Sequence, residues 1–176
     1  IYSKIKSLMQ LILWAAGING EGSCKVALSI IKVLINKYDN KKFKIFISSG
    51  STLSSKLRDE NLLINKSINQ LPKIYRLYPI QGLFKLLFPI NLFCRSLITI
   101  DDYPFRNANN QILYFHQANL VFSNKFIWKL KRLFFNSLHS KTLKIFVQTK
   151  QMHDLFKNKF TNFRLNEIFF EYHFGF

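Results

Sequence analysis

Glycine, proline, cysteine and acidic side chains are all scarce in this chain, and each shortage removes a class of structure. The six glycines and four prolines among 176 residues form no repeat and no low-complexity linker, so nothing divides the chain into separate units. Two cysteines, Cys24 and Cys94, give neither a zinc spacing nor a redox pair, and suit a reducing cytoplasm. No stretch reaches the roughly 18 uninterrupted apolar residues of a membrane-spanning helix. The nearest, Ile80 to Ile100, is broken by Lys85, Pro89, Asn91 and Arg95. The beginning, IYSKIKSLMQLILWAAG, has lysines ahead of an apolar run, as a signal peptide does, but the run leads into a glycine-rich turn and reads as a first β-strand. The first residue is Ile rather than Met, which leaves an incomplete N-terminus as an expectation. P-loop, zinc and G-x-S-x-G patterns are missing as well.

What is present is apolar and basic. A hydrophobic content of 48% excludes intrinsic disorder, and 176 residues match one domain of roughly 100–200 residues. Against 9 acidic residues stand 26 basic ones, a net charge of +17. Lysines outnumber arginines by 20 to 6, and Phe, Ile, Asn, Lys and Tyr fill almost half of all positions, the bias of an AT-rich coding sequence. Arginine, the side chain suited to bidentate phosphate recognition, is not enriched, so no nucleic acid is expected as a partner. The charge is uneven. Between Asp102 and Asp154 no acid occurs, while Arg106, Lys125, Lys129, Lys131, Arg132, Lys141, Lys144 and Lys150 do. Within that interval KFIWKLKRLFFNSLHS, Lys125 to Ser140, mixes bulky apolar residues with cations. It reads either as a basic helix lying on an anionic membrane surface or as a surface helix with its Phe and Leu turned to the core.

Apolar runs and helical periodicities alternate. Strands are expected at Leu11–Ala16, Phe43–Ile47, Ile74–Tyr78, Leu97–Ile100, Ile112–Phe115 and Leu143–Val147. Helices are expected after Ser23, as an N-cap, with Val26, Ile30, Leu34 and Tyr38 on one face, over Thr52–Arg58, from Gln81 to near Pro89, in the basic segment and over Lys150–Phe160. The stretch Asp59–Gln70 reads as loop. Strands alternating with helices give one α/β domain, a doubly wound (Rossmann-like) parallel sheet with helices on both faces, over residues 1–160, followed by a divergent or truncated tail, 161–176.

In such sheets ligands bind outside the carboxyl ends of the strands, which selects the candidate residues. The strand Ile112–Phe115 runs directly into His116 and Gln117. With an ordinary pKa near 6.5, His116 can exchange a proton at neutrality, or it can serve as a capping histidine. Gly17, Gly20 and Gly22 follow the first strand as G-x-x-G-x-G, which is not the dinucleotide pattern, and no acid ends the second strand. A nicotinamide enzyme is therefore disfavoured. The glycines either let backbone N–H groups approach an anion or sugar, or simply make a tight turn. Asp101 and Asp102 end another strand as an acceptor contact or a loop-capping pair.

Taken in order, the glycine loop, the strand ending YFHQANL and the strand–turn–helix IFVQTKQMHDLF resemble the N-terminal half of a GT-B-fold glycosyltransferase. The likeness is to the large retaining family 4, or group 1, whose bacterial members build capsular or O-antigen polysaccharide, and it spans roughly Leu11 to Phe160. The resemblance implies sugar transfer from a nucleotide-sugar to a glycan or lipid-linked acceptor, with no metal and no other cofactor. It implies Gly20 and Gly22 beside the donor phosphates and His116 as the catalytic residue in the cleft, with Gly17, Asp101, Gln117, Thr149 and Lys150 as further donor or acceptor contacts. The cysteines and the basic helix give the expected location, cytoplasmic and peripheral at the membrane's inner face. A complete enzyme of that family needs a C-terminal donor-binding domain with a Glu-x7-Glu motif; here Glu167 and Glu171 are only four apart. The chain therefore resembles a fragment, inactive alone.

Overall fold

The computed structural model describes residues 9–18, 20–100, 103–115, 117–138, 142–160 and 168–170. Seven strands form one sheet: β1 (Met9–Ala15), β2 (Phe43–Ser48), β3 (Ile68–Leu71), β4 (Cys94–Ile100), β5 (Gln111–Phe115), β6 (Leu143–Val147) and β7 (Ile168–Phe170). Their order is β3-β2-β1-β4-β5-β6-β7 and every pairing is parallel. Among the described residues six α-helices accompany them: α1 (Glu21–Lys37), α2 (Thr52–Asp59), α3 (Tyr78–Leu87), α4 (Ala118–Phe122), α5 (Phe126–Ser137) and α6 (Lys150–Lys159). This is the expected doubly wound, Rossmann-like arrangement.

The period-2 alternation of the strands sends successive side chains to opposite faces. In β1, Leu13 and Ala15 pack with Cys24, Ala27 and Ile31 of α1 and with Leu53 and Leu57 of α2. Ile12 and Trp14 turn the other way, to Phe84 of α3 and Phe105. On that same face Leu113 and Phe115 of β5 meet Phe135 of α5 and Phe156 of α6. Much of the unusual phenylalanine content is used here. Phe135 lies edge-on to both Phe115 and Phe156, each at 5.8 Å between ring centres. Such edge-to-face contacts add about 0.5–1.5 kcal/mol to area burial.

Two expectations are corrected. Helix α1 starts after Gly20, so Ser23 is not its cap but sits inside the first turn, its hydroxyl donating to the Gly20 carbonyl at 2.9 Å. The buried stripe is Cys24, Ala27, Ile31 and Leu34, while Tyr38 is exposed. The small Cys24 and Ala27 let the helix settle close on the sheet, and the bulkier Val26 and Ile30 flank the contact. Second, the third strand is Ile68–Leu71, overlapping the end of the expected loop, and Lys73–Arg76, overlapping the expected strand, forms a 3-10 turn. At the sheet edge β3 pairs only with β2, from Ile45–Ile68 to Ser48–Leu71, so its half-exposed side chains carry no apolar alternation. Pro79, at the start of α3, favours a helix beginning there. Beyond α6, β7 extends the sheet beside β6.

Candidate functional site

Because the strands are parallel, the carboxyl ends of β1, β4, β5 and β6 share one edge. The chain adds strands in one direction from β1 to β3 and in the other from β4 onward. A crevice at such a reversal is the preferred ligand position of open α/β sheets. The glycine loop leaves β1 at that point. Ala16 and Ile18 are buried and Gly17 half-buried, which anchors the loop, whereas Gly20 and Gly22 are exposed. Gly20 caps α1 in an extended conformation (φ −87°, ψ 146°), and its carbonyl accepts the Cys24 N–H at 2.9 Å. Glycine supplies no capping side chain, so the orphan N–H groups and positive dipole end of a 17-residue helix stay open to an anion. A Cβ added to Gly22 would meet nothing within 4 Å. Packing therefore does not require glycine there, and its smallness keeps the helix end accessible.

Two neighbours of the loop are not legible in the sequence. Glu21, in the first turn of α1, accepts a hydrogen bond from Lys56 of α2 at 2.5 Å. That bond and the lysine's charge lower the Glu21 pKa, and the same bond raises that of Lys56. The pair is separated by 35 positions and no local pattern marks it. At the end of β2, Ser51 caps α2 by accepting the Ser54 N–H at 3.1 Å and donates to the Ser48 carbonyl at 2.7 Å. The hydroxyls of Ser48 and Ser54 are buried with no hydrogen-bond partner among the described residues. The first turn of α1 thus offers backbone donors beside the ion pair of Glu21 and Lys56.

The other candidates spread along the same edge. Gln117 is half-buried at the N-cap of α4. Thr149 is exposed and caps α6, its hydroxyl accepting the Met152 N–H at 3.1 Å, and Lys150 begins that helix. At about 4.8 Å per strand, the ends of β1 and β6 stand roughly 14 Å apart, so only an extended ligand could touch both. Asp101 and His116 lie outside the described residues; they follow Ile100 and Phe115, the last residues of β4 and β5.

Both cysteines are buried, and burial pushes the Cys94 thiol up to about 11 and the Cys24 thiol upward too, so neither is a thiolate near neutrality. Among the described residues no three His, Cys, Asp or Glu side chains group as metal ligands. Lys85, which interrupts the apolar run, is fully buried; it donates to the Tyr103 carbonyl at 2.7 Å and lies 5.6 Å from the centre of the Phe105 ring. It fastens α3 to the segment after β4. No protein-family model matches the chain, and no curated protein matches its sequence.

Proposed function

We propose that this chain is the acceptor-side domain of a glycosyltransferase, the N-terminal half of a GT-B fold of the family 4 type. It would act with a C-terminal donor-binding domain to move a sugar from a nucleotide-sugar to a saccharide or lipid-linked acceptor. The observation that carries the reading is the uncapped N-terminus of α1, opening at the strand-order reversal behind an exposed Gly20 and Gly22. Backbone donors fixed at that place suit the negative charge that builds on a departing diphosphate. The ion pair of Lys56 with Glu21 lies on the same side. His116, next in sequence after β5, is the proposed acid–base or sugar-contacting group, with Gln117, Thr149 and Lys150 along the edge and Asp101, next in sequence after β4, as a further proposed contact.

The test supplies the chain with a donor-binding domain and compares it with His116→Ala for turnover and thermal midpoint. A group acting in the transition state predicts turnover lower by a factor on the order of 10² with the midpoint kept. Normal turnover with a lowered midpoint would assign His116 a structural role instead.

A second reading is association with an anionic membrane surface at its cytoplasmic side. It is supported by the run of cations between Asp102 and Asp154 and by the exposed apolar residues of α5. No helix among the described residues is long and apolar enough to cross a membrane, so the reading is of a peripheral contact.

A further inference from the structure

Helix α3 is turned inside out. Its polar side chains Gln81 and Lys85, one turn apart, are buried at 2% and 0% exposure, while Leu83 and Leu87 are 55% and 66% exposed. A surface helix ordinarily has the reverse order, apolar to the core and polar to water. With Lys85 engaged inside on the Tyr103 carbonyl, the outer face of α3 is apolar throughout its described side chains.

Leu83 stands as a ridge between two apolar depressions. On one side an apolar groove of about 440 Å³ runs between α3 and α5, walled by Leu83, Ile127 and Leu130 over Phe134. Gly82 shapes its floor: a Cβ there would come within 2.7 Å of the Phe134 ring. On the other side a hollow of about 580 Å³ lies between α3 and the 3-10 turn at Lys73–Arg76, lined by Ile74, Tyr75, Leu83, Leu87 and Phe88. Among the described residues Lys131 is the only ionic side chain lining either depression, and its Nζ lies 4.1 Å from the centre of the Trp128 ring. Charge therefore does not choose the occupant, and shape does. A ridge with a depression on each side is complementary to itself under a two-fold rotation. Leu83 and Leu87, at i and i+4, form the kind of row that packs into the groove of another helix. A bilayer takes up protruding side chains but leaves the walls of a groove without partner atoms. Across the 3-10 turn, α3 and α5, at 8–10 Å between axes, the face is about 20 Å wide, the scale of a standard interface of roughly 800 Å² per partner.

We propose that this face pairs two copies of the chain, the Leu83–Leu87 ridge of each α3 entering the α3–α5 groove of the other. The pairing goes beyond both readings above. It is independent of sugar transfer, because α3 packs on the sheet face opposite α1 and its glycine loop. It also covers Ile127 and Leu130, which a membrane contact would need exposed.

The experiment is sedimentation velocity of the chain over about 1 to 500 µM, at low and high salt, beside Leu83→Glu/Leu87→Glu on the ridge and Ile127→Glu on the groove wall. All three positions are more than half exposed, so charges there leave the fold intact, which circular dichroism verifies for each variant. The expected result is a reversible dimer of the parent chain and a dissociation constant raised about tenfold or more in either variant. Each copy carries +17, which opposes association, so salt should tighten the dimer. A parent chain that stays monomeric, or a dimer that neither variant weakens, overturns the pairing. A dimer that salt dissolves overturns it too, since its contact would be electrostatic. A series of larger species in place of a dimer would contradict the two-fold geometry. A monomer that floats with phosphatidylcholine vesicles, and stops floating with the glutamates, would assign the face to the bilayer and overturn the proposal.

Discussion

Gly22 and Cys94 each isolate one physical effect at a single position. At Gly22, in the first turn of α1, an added methyl meets open space and the backbone is not in the left-handed region. Alanine is the better helix former, so Gly22→Ala should leave the midpoint unchanged or raise stability by up to about 1 kcal/mol. If the loop admits a diphosphate, the same change should weaken its binding, and calorimetric titration beside thermal melts separates the two effects. At Cys94 burial raises the thiol pKa from 9.0 to about 11. The unfolded chain then loses its proton first as pH rises, so stability is fully present below about 9 and falls as pH climbs toward 11. Burial raises the Tyr103 hydroxyl in the same sense. Cys94→Ala should flatten this alkaline limb in urea melts, by a few kcal/mol at most over those two units.

At the scale of elements, the approach of α3 to α5 depends on Gly82, whose Cβ position is taken by Phe134. Phe134 in turn stands edge-on to Tyr103, with ring centres 5.3 Å apart. Gly82→Ala should therefore lower the midpoint despite its helix propensity, because overpacking costs about 1–3 kcal/mol against a gain of about 1. A raised midpoint would mean that the ring moves aside freely. Elements with a strong apolar signal were legible in the sequence: β6 has the expected bounds, and β1, β2, β4 and β5 differ from theirs by three residues or fewer at either end. The edge strand β3 was not legible, because its identity lies in backbone pairing to β2 rather than in its own side chains. The face of α1 was partly misplaced because two small residues, Cys24 and Ala27, share its contact with Ile31 and Leu34.

For the whole molecule, the parallel order decides what the candidate residues share. Knowing only that each follows a strand was enough to assign Gly17, Gly20, Gly22, Gln117 and Thr149 to one edge of the sheet. The ion pair of Glu21 with Lys56, the serines at the end of β2 and the apolar groove were not readable, since each joins elements far apart in sequence. Thr149 also has a plain structural duty as the cap of α6, which its position alone did not reveal. The central claim is that the glycine loop at the strand-order reversal receives a nucleotide diphosphate. Its most direct test is an amide chemical-shift titration of the chain with uridine diphosphate and with a uridine diphosphate sugar. The account predicts saturable shifts centred on Gly20, Glu21 and Gly22, weakened by added salt. Shifts confined to α3 and α5, or none at millimolar ligand, would contradict it.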